Sequence, residues 1–386
     1  MPFFGVNALL ISTLFMAFPI NYSYTWVIII LCIWVYMMIK SKPFTTLRTP
    51  SLNVVLTWKI QFILLFLFIT VMGLHRWDTY HMAQWWPTQY FSHFEPFHLW
   101  IINAFAYDSY FIYRLIVFGI TGLLFCKLAR ALDDFTNNFC LACTLFLVDS
   151  MFSEMRGTIG VMVMLFGIAY LLKQDHILNV KSLLWLLVIG SSFYMHRSMF
   201  LTLLLAAVAY FIPLNKKTIK LSWLLFPLFV VATNYIINYF LAGGFDLSFG
   251  DEMQLADKAQ MYAGDQKMVR TLVGQLTNFI AYLPLYLSFF YLAKKVGYGD
   301  ICLDRVHSYF FRIFYVCVYV ASLLNFVETS TWLVVRISVI ALYPLPFILS
   351  RIWSQEIYAS RWTKAIIYSS IIAVIFSMTY RIYIWH

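Results

Sequence analysis

Apolar residues run nearly unbroken for long stretches of the chain, Ile60 to Leu74 and Ile366 to Met378 among them, and polar residues gather in short clusters between the stretches. None of these runs shows the in-out alternation of a lipid-facing barrel strand. A chain crossing hydrocarbon must satisfy its backbone polar groups within itself, so each run predicts a transmembrane helix. The expected spans are roughly 5–20, 24–39, 53–74, 110–127, 138–152, 156–172, 182–194, 198–213, 221–242, 273–293, 308–325, 331–350 and 365–381. They make an all-α polytopic membrane protein of about thirteen transmembrane helices in one domain covering residues 1–386. Two polar stretches, at about 75–108 and 242–271, are expected as loops on the outer side. The first contains the short apolar piece Phe97 to Phe105 and reads as an interfacial or re-entrant helix, its Trp85, Trp86 and Trp100 suited to headgroup depth.

Composition agrees with lipid as the solvent: of 386 residues, 62% are hydrophobic and only 11% charged, which leaves no polar block long enough for a separate soluble domain. The segment Met1 to Pro19 has no Lys or Arg ahead of it and no small-residue cleavage site, so it is expected to be retained as the first span. The six cysteines lie mostly in apolar runs. Cys140 and Cys143 form a CxxC with no second pair at ligand spacing, which reads as helix packing rather than zinc or redox chemistry.

The formal charge of +10 is scattered between apolar runs, which excludes a nucleic-acid surface and points to membrane topology instead. Lys40, Lys42 and Arg48 mark the second loop as cytoplasmic, and alternation then puts the clusters at Lys127, Lys173, Lys216, Lys294 and Arg351 on that side, with the N-terminus inside. Of the 27 basic residues, 12 Lys and 6 Arg fall inside, against 7 Arg (Arg76, Arg114, Arg156, Arg197, Arg270, Arg336, Arg381) with Lys258 and Lys267 outside. Retention needs only positive charge. Arginine adds a planar fork that grips phosphate through two parallel bonds.

Arg156 opens one helix beyond an outer turn, and His196 with Arg197 occupies the next outer turn, so two successive hairpins present cations at similar depth. Such residues are costly in a membrane unless they face a polar cavity or one another, which makes them site candidates. The plain alternative is ion pairing with Asp149, Glu154 or Glu328, or snorkelling to lipid phosphate. An outer arginine cluster beside aromatics suits a polyprenyl pyrophosphate: cations hold the pyrophosphate, an apolar groove the lipid, and aromatic faces the sugars. Glycosyl transfer from such a donor also needs a base for the acceptor hydroxyl. The outer candidates are Asp78, His196, Glu154, Glu95 and the histidines at 75, 81, 93 and 98, with His196 best placed. No metal or other cofactor is expected. The adjacent outer carboxylates are only Asp251 and Glu252, and the histidines match no compact ligand pattern.

Four stretches resemble the O-antigen and exopolysaccharide polymerases of the EpsG/Wzy type. These are Arg76-Trp77-Asp78-Thr79-Tyr80, Phe94-Glu95-Pro96-Phe97-His98-Leu99, Glu154-Met155-Arg156-Gly157 and Phe193-Tyr194-Met195-His196-Arg197-Ser198. Their order and spacing are similar to the family's "D…Y", "EP", "R" and "FH.S" landmarks over roughly residues 70 to 210, with Gly157 standing where a polar residue often follows the arginine. The resemblance implies a fold similar to lipid-linked-sugar glycosyltransferases, in the bacterial inner membrane with a periplasmic site. There a growing glycan would pass from undecaprenyl pyrophosphate onto the next lipid-linked repeat unit, with a chain-length regulator as a further partner. On that reading His196, Arg156 and Asp78 are catalytic, and Arg76, Tyr80, Glu95, Glu154, Arg197, Arg270 and Arg336 bind substrate. The competing readings are an oligosaccharide flippase, which should carry midplane charges and two similar halves, and an O-antigen ligase or other lipid-linked-sugar transferase.

Overall fold

The structure, a computed structural model, describes residues 86, 94–132, 155–174, 179–241, 272–326 and 331–355, with 361–362, 365–366 and 369. The expected spans at 5–20, 24–39, 53–74 and 138–152 therefore lie outside the described residues, as does nearly all of 365–381. Every regular element among the described residues is helical. In chain order they are α1 (Pro96–Ile101), a π-helical turn (Ile102–Ala106), α2 (Tyr110–Ala131), α3 (Met155–Leu172), α4 (Val180–Ser191) with a 3-10 turn (Ser192–Tyr194), α5 (Met199–Phe211), α6 (Lys216–Leu224), α7 (Phe226–Leu241), α8 (Leu272–Gly297), α9 (Arg305–Leu324), α10 (Thr331–Leu342) and α11 (Leu345–Gln355).

Side-chain caps set several of the starts. Ser109, Asn179, Asn215 and Asp304 stand in extended backbone and accept bonds from N–H groups of the first turn that have no intrahelical partner. Length and apolarity qualify α2 and α9 to cross a membrane outright. The pair α6 and α7 forms a third crossing if taken as one span bent by 59°. Four shorter apolar helices follow the expected positions without reaching that length alone, so the count of about thirteen extends beyond what the described residues establish. Two expected spans are interrupted. The 221–242 run breaks at Leu225, ahead of Pro227, and the 331–350 run breaks around Pro344, in keeping with the missing N–H and ring clash of proline.

The chain divides into two compact units, one formed by residues 1–199 with 346–386 and the other by 200–345. In the second, α9 is the buried element. Its tyrosines reach polar groups on neighbouring helices: Tyr309 Oη donates to the Ala206 carbonyl at 2.5 Å, Tyr319 Oη to the Ser222 carbonyl at 2.5 Å, and Tyr315 Oη pairs with Ser222 Oγ at 2.6 Å. A hydroxyl with an apolar ring can thus join helices at depths where water is absent.

In the first unit α3 packs between α2 and α4. Gly160 and Gly167 are seven residues apart and share one face of α3, which lets α4 and the turn after it approach closely. A β-carbon at Gly167 would lie 2.7 Å from Ile189 Cγ1, and one at Gly160 would lie 2.8 Å from Met199 Cγ and 3.3 Å from the Ser192 carbonyl oxygen. Gly167→Leu is accordingly expected to force α3 and α4 apart and to lower stability by about 1–3 kcal/mol. Thermal unfolding of the detergent-solubilised protein measures this, and an unchanged midpoint would mean that the contact is not close.

Candidate functional site

The site is built where α1, the start of α3 and the turn after α4 meet, all within the first unit. Glu95 stands in extended backbone as the N-cap of α1, with Pro96 opening the helix. Its carboxylate makes no capping bond. It turns instead into the protein, where Glu95 is 3% exposed. There Oε2 accepts from Arg156 Nη1 at 3.0 Å, and Oε1 accepts from the backbone N–H of Arg197 at 3.5 Å. A buried carboxylate is tolerable only with such partners. Arg156, a quarter exposed at its side chain, also lies with its guanidinium carbon 4.9 Å from the centre of the Phe94 ring. Arg197 gives Glu95 its amide and keeps its side chain for other use. Half-buried, that side chain has no ion pair among the described residues.

His98, on α1, ties the same turn in place. Its Nε2 lies 2.7 Å from the Met195 carbonyl and its Nδ1 lies 2.8 Å from Tyr113 Oη on α2. A carbonyl only accepts, so Nε2 carries the ring proton and the Tyr113 hydroxyl donates to Nδ1. Burial pushes the His98 pKa down to about 4, and the Arg156 and His196 charges add to the shift, against the opposing pull of Glu95 and the Met195 carbonyl. The imidazole is therefore neutral at pH 7. His196 follows in the turn, half-buried, with Nδ1 accepting from the backbone N–H of Ser198 at 3.1 Å and paired with Ser198 Oγ.

Aromatic rings support this arrangement from below. Trp86 is 4% exposed, within 5.0 Å of the Tyr110 ring centre and 5.1 Å of Tyr113, and its Nε1–H donates to the Ala106 carbonyl of the π turn at 3.1 Å. Trp100, by contrast, is 58% exposed. Of the tryptophans expected at headgroup depth, Trp86 is core instead, because the π turn presents a carbonyl to its indole. Arg114 is buried on α2 with its guanidinium carbon 5.8 Å from the Tyr110 ring and 5.0 Å from Phe118, four residues away on either side.

Of the residues singled out from the sequence, the structure brings Glu95, Arg156, His196 and Arg197 together. The ion pair of Arg156 is with Glu95, a partner the sequence reading placed among substrate contacts rather than among the pairing carboxylates. Arg76, Asp78, Tyr80, Glu154 and Arg270 lie outside the described residues. Arg336 stands on α10 in the second unit. Sequence reasoning missed the role of Tyr113, and named His98 only as one possible base. The i, i+3 spacing of Glu95 and His98 was the available signal, since it sets both on the same side of a short helix. Among the described residues no group of three or more His, Cys, Asp or Glu is placed to hold a metal ion.

The helices and this cluster define a helical membrane protein in which a buried carboxylate joins two arginine-bearing segments. The chain belongs to the EpsG family, whose model matches residues 55–386. Membership points to a polymerase-type role in polysaccharide synthesis. No curated protein and no solved structure matches the chain.

Two outcomes follow from this geometry. Glu95→Ala, which strands the Arg156 charge and the Arg197 amide, is expected to cost about 3 kcal/mol, while Glu95→Ala combined with Arg156→Ala costs less than the sum of the two single changes. A double-mutant cycle on melting in detergent measures the coupling. Second, His98 binds a proton near pH 6.5 when unfolded and near 4 when folded, so the stability it supplies is complete above pH 6.5 and is lost as pH falls toward 4. The loss amounts to about 3 kcal/mol, and His98→Gln should flatten the melting curve over that pH window.

Proposed function

We propose that this protein is a polysaccharide polymerase. It moves a growing glycan from undecaprenyl pyrophosphate onto a lipid-linked repeat unit at the periplasmic face of the bacterial inner membrane. The observation that carries this reading is the division of labour at Glu95. One arginine, Arg156, pairs with the carboxylate, and the next, Arg197, reaches it through its amide, while its side chain makes no ion pair among the described residues. Family membership supplies the reaction class.

In this reaction the acceptor hydroxyl oxygen attacks the anomeric carbon of the donor. The bond from that carbon to the pyrophosphate oxygen breaks, its electron pair staying with the pyrophosphate, and the hydroxyl proton passes to a base, for which His196 is the first candidate and Asp78 the second. Arg197 holds the departing pyrophosphate, Arg156 adds positive potential beside Glu95, and Arg76, Tyr80 and Glu154 are further contacts to donor and acceptor. Fixed guanidinium groups take the part that a divalent ion plays elsewhere, so the enzyme needs no metal. A chain-length regulator is a further proposed partner.

The test is twofold. A deletion strain should show a single-repeat band where the parent shows a ladder of surface polysaccharide, whereas loss of every band would indicate a flippase or ligase. In reconstituted membranes, polymer should form from lipid-linked repeats in the presence of EDTA. Arg197→Ala should reduce its rate by ~100-fold or more, with Arg197→Lys recovering little of it. Full recovery by lysine would mean that bidentate phosphate recognition is wrong, and loss of activity in EDTA that returns with magnesium would overturn the metal-free mechanism.

A further inference from the structure

Helix α6 has nine residues and bends by 59° into α7 at Leu225, so it does not share the direction of the longer apolar helix that follows it. One face ties it down. Ile219 is buried against the end of α8, where a β-carbon at Gly297 would collide with Ile219 Cδ1. Three residues on, the Ser222 hydroxyl pairs with Tyr315 Oη, and its carbonyl accepts from Tyr319 Oη, both on α9. These contacts fix the rotation of α6. Its remaining surface is sorted along the axis: Lys216, Lys217 and Lys220 are exposed in the first half, and Leu221, Trp223 and Leu224 in the second. The exposed apolar series continues on α7 with Leu228, Val231 and Tyr235.

The lysines of α6 have no carboxylate of their own. Lys217 and Lys220 make no ion pair among the described residues, and Lys216 Nζ lies 5.1 Å from the centre of the Tyr298 ring. Lys294 is exposed in the last turn of α8, the helix against which Ile219 packs. The carboxylates that follow α8 are committed elsewhere: Asp300 lies 3.8 Å from Lys295, and Asp304 holds His307 and the first N–H groups of α9. No acidic residue stands in the first turn of α6, where the helix dipole already disfavours lysine. Negative charge from outside the chain would complement this surface. We propose that α6 is an interfacial helix that docks on anionic phospholipid headgroups, with Lys216, Lys217 and Lys220 at the phosphates and Trp223 and Leu224 slanting into the acyl layer. The order of exposed residues carries the assignment. Lysine heads reach for phosphate, indole settles at the boundary and leucine beneath it, which is the sequence of layers a bilayer presents. An acidic protein or free phosphate would match the lysines but leave Trp223, Leu224 and Val231 in water.

The full-length protein, reconstituted in vesicles of phosphatidylcholine mixed with phosphatidylglycerol, tests this when the lipids it retains after gentle detergent extraction are counted by native mass spectrometry. The parent should retain phosphatidylglycerol over phosphatidylcholine by about tenfold. The triple variant Lys216→Gln, Lys217→Gln, Lys220→Gln should lose most of that preference while melting in phosphatidylcholine vesicles at the parent's midpoint. In the parent the preference should fall as salt is raised, because the headgroup charge is screened. Leu224→Asp, with every lysine in place, should weaken it as well. A triple variant that selects phosphatidylglycerol as the parent does, or a parent preference indifferent to salt, overturns the proposal. Competition by inorganic phosphate beyond that of chloride at equal ionic strength also overturns it, since the lysines would then serve free phosphate. An undiminished preference in Leu224→Asp would remove the apolar half of α6 from the bilayer, and the interfacial placement with it.

Discussion

Among the described residues, one buried carboxylate organises the first unit of this protein. Glu95 sits almost out of solvent, where an unpaired negative charge would cost several kilocalories per mole, and the chain meets that cost from two distant segments. The ion pair spans 61 residues and the amide contact spans 102. Because both carboxylate oxygens are occupied, the first turn of α3 and the turn after α4 are held at the same depth.

Supporting this constraint is a packing arrangement in which small and aromatic residues divide the work. Glycines on one face of α3 let α4 and its turn come within contact distance, and bulk at Gly160 would press on the Ser192 carbonyl in the turn itself. Trp86, Phe94, Tyr110 and Tyr113 pack in one buried cluster beside the site, where the Trp86 indole N–H donates to the Ala106 carbonyl and the Tyr113 hydroxyl to His98 Nδ1. Rings of this kind lose little conformational freedom on burial, so they hold a charged cluster in register at low entropic cost. The neutral His98 fits the same logic. A charged imidazole there would face Arg156, whereas the neutral ring can bridge a hydroxyl and a carbonyl.

Reading a site from cation positions alone gives every outward arginine the same weight, and the structure separates them. Arg114 lies against aromatic faces on α2, Arg156 pairs with Glu95, and Arg197 reaches Glu95 through its backbone, its side chain making no ion pair among the described residues. In the proposed reaction this ranking matters more than the number of cations. Only a guanidinium not already paired can follow the charge that develops on the leaving group.

Hydrophobic periodicity made the helical class and several boundaries legible from the chain itself. The run expected at 110–127 is the helix Tyr110–Ala131, and the run expected at 156–172 is Met155–Leu172. Burial of apolar surface is nearly additive along a segment, and the capping residues act within one turn, so local sequence carries both signals. The landmarks around Glu95, Arg156 and His196 were visible as chemistry and as a resemblance to polymerases of the family to which the chain belongs. Their pairing was not. The breaks at Leu225 and near Pro344 passed unnoticed because a proline within a long apolar run leaves its hydropathy unchanged. Which carboxylate Arg156 would choose and whether Trp86 would lie at the surface or in the core depended on distances between segments far apart in sequence. Coulomb attraction and hydrogen bonding act over a few ångströms. Only the tertiary structure could decide which groups came that close.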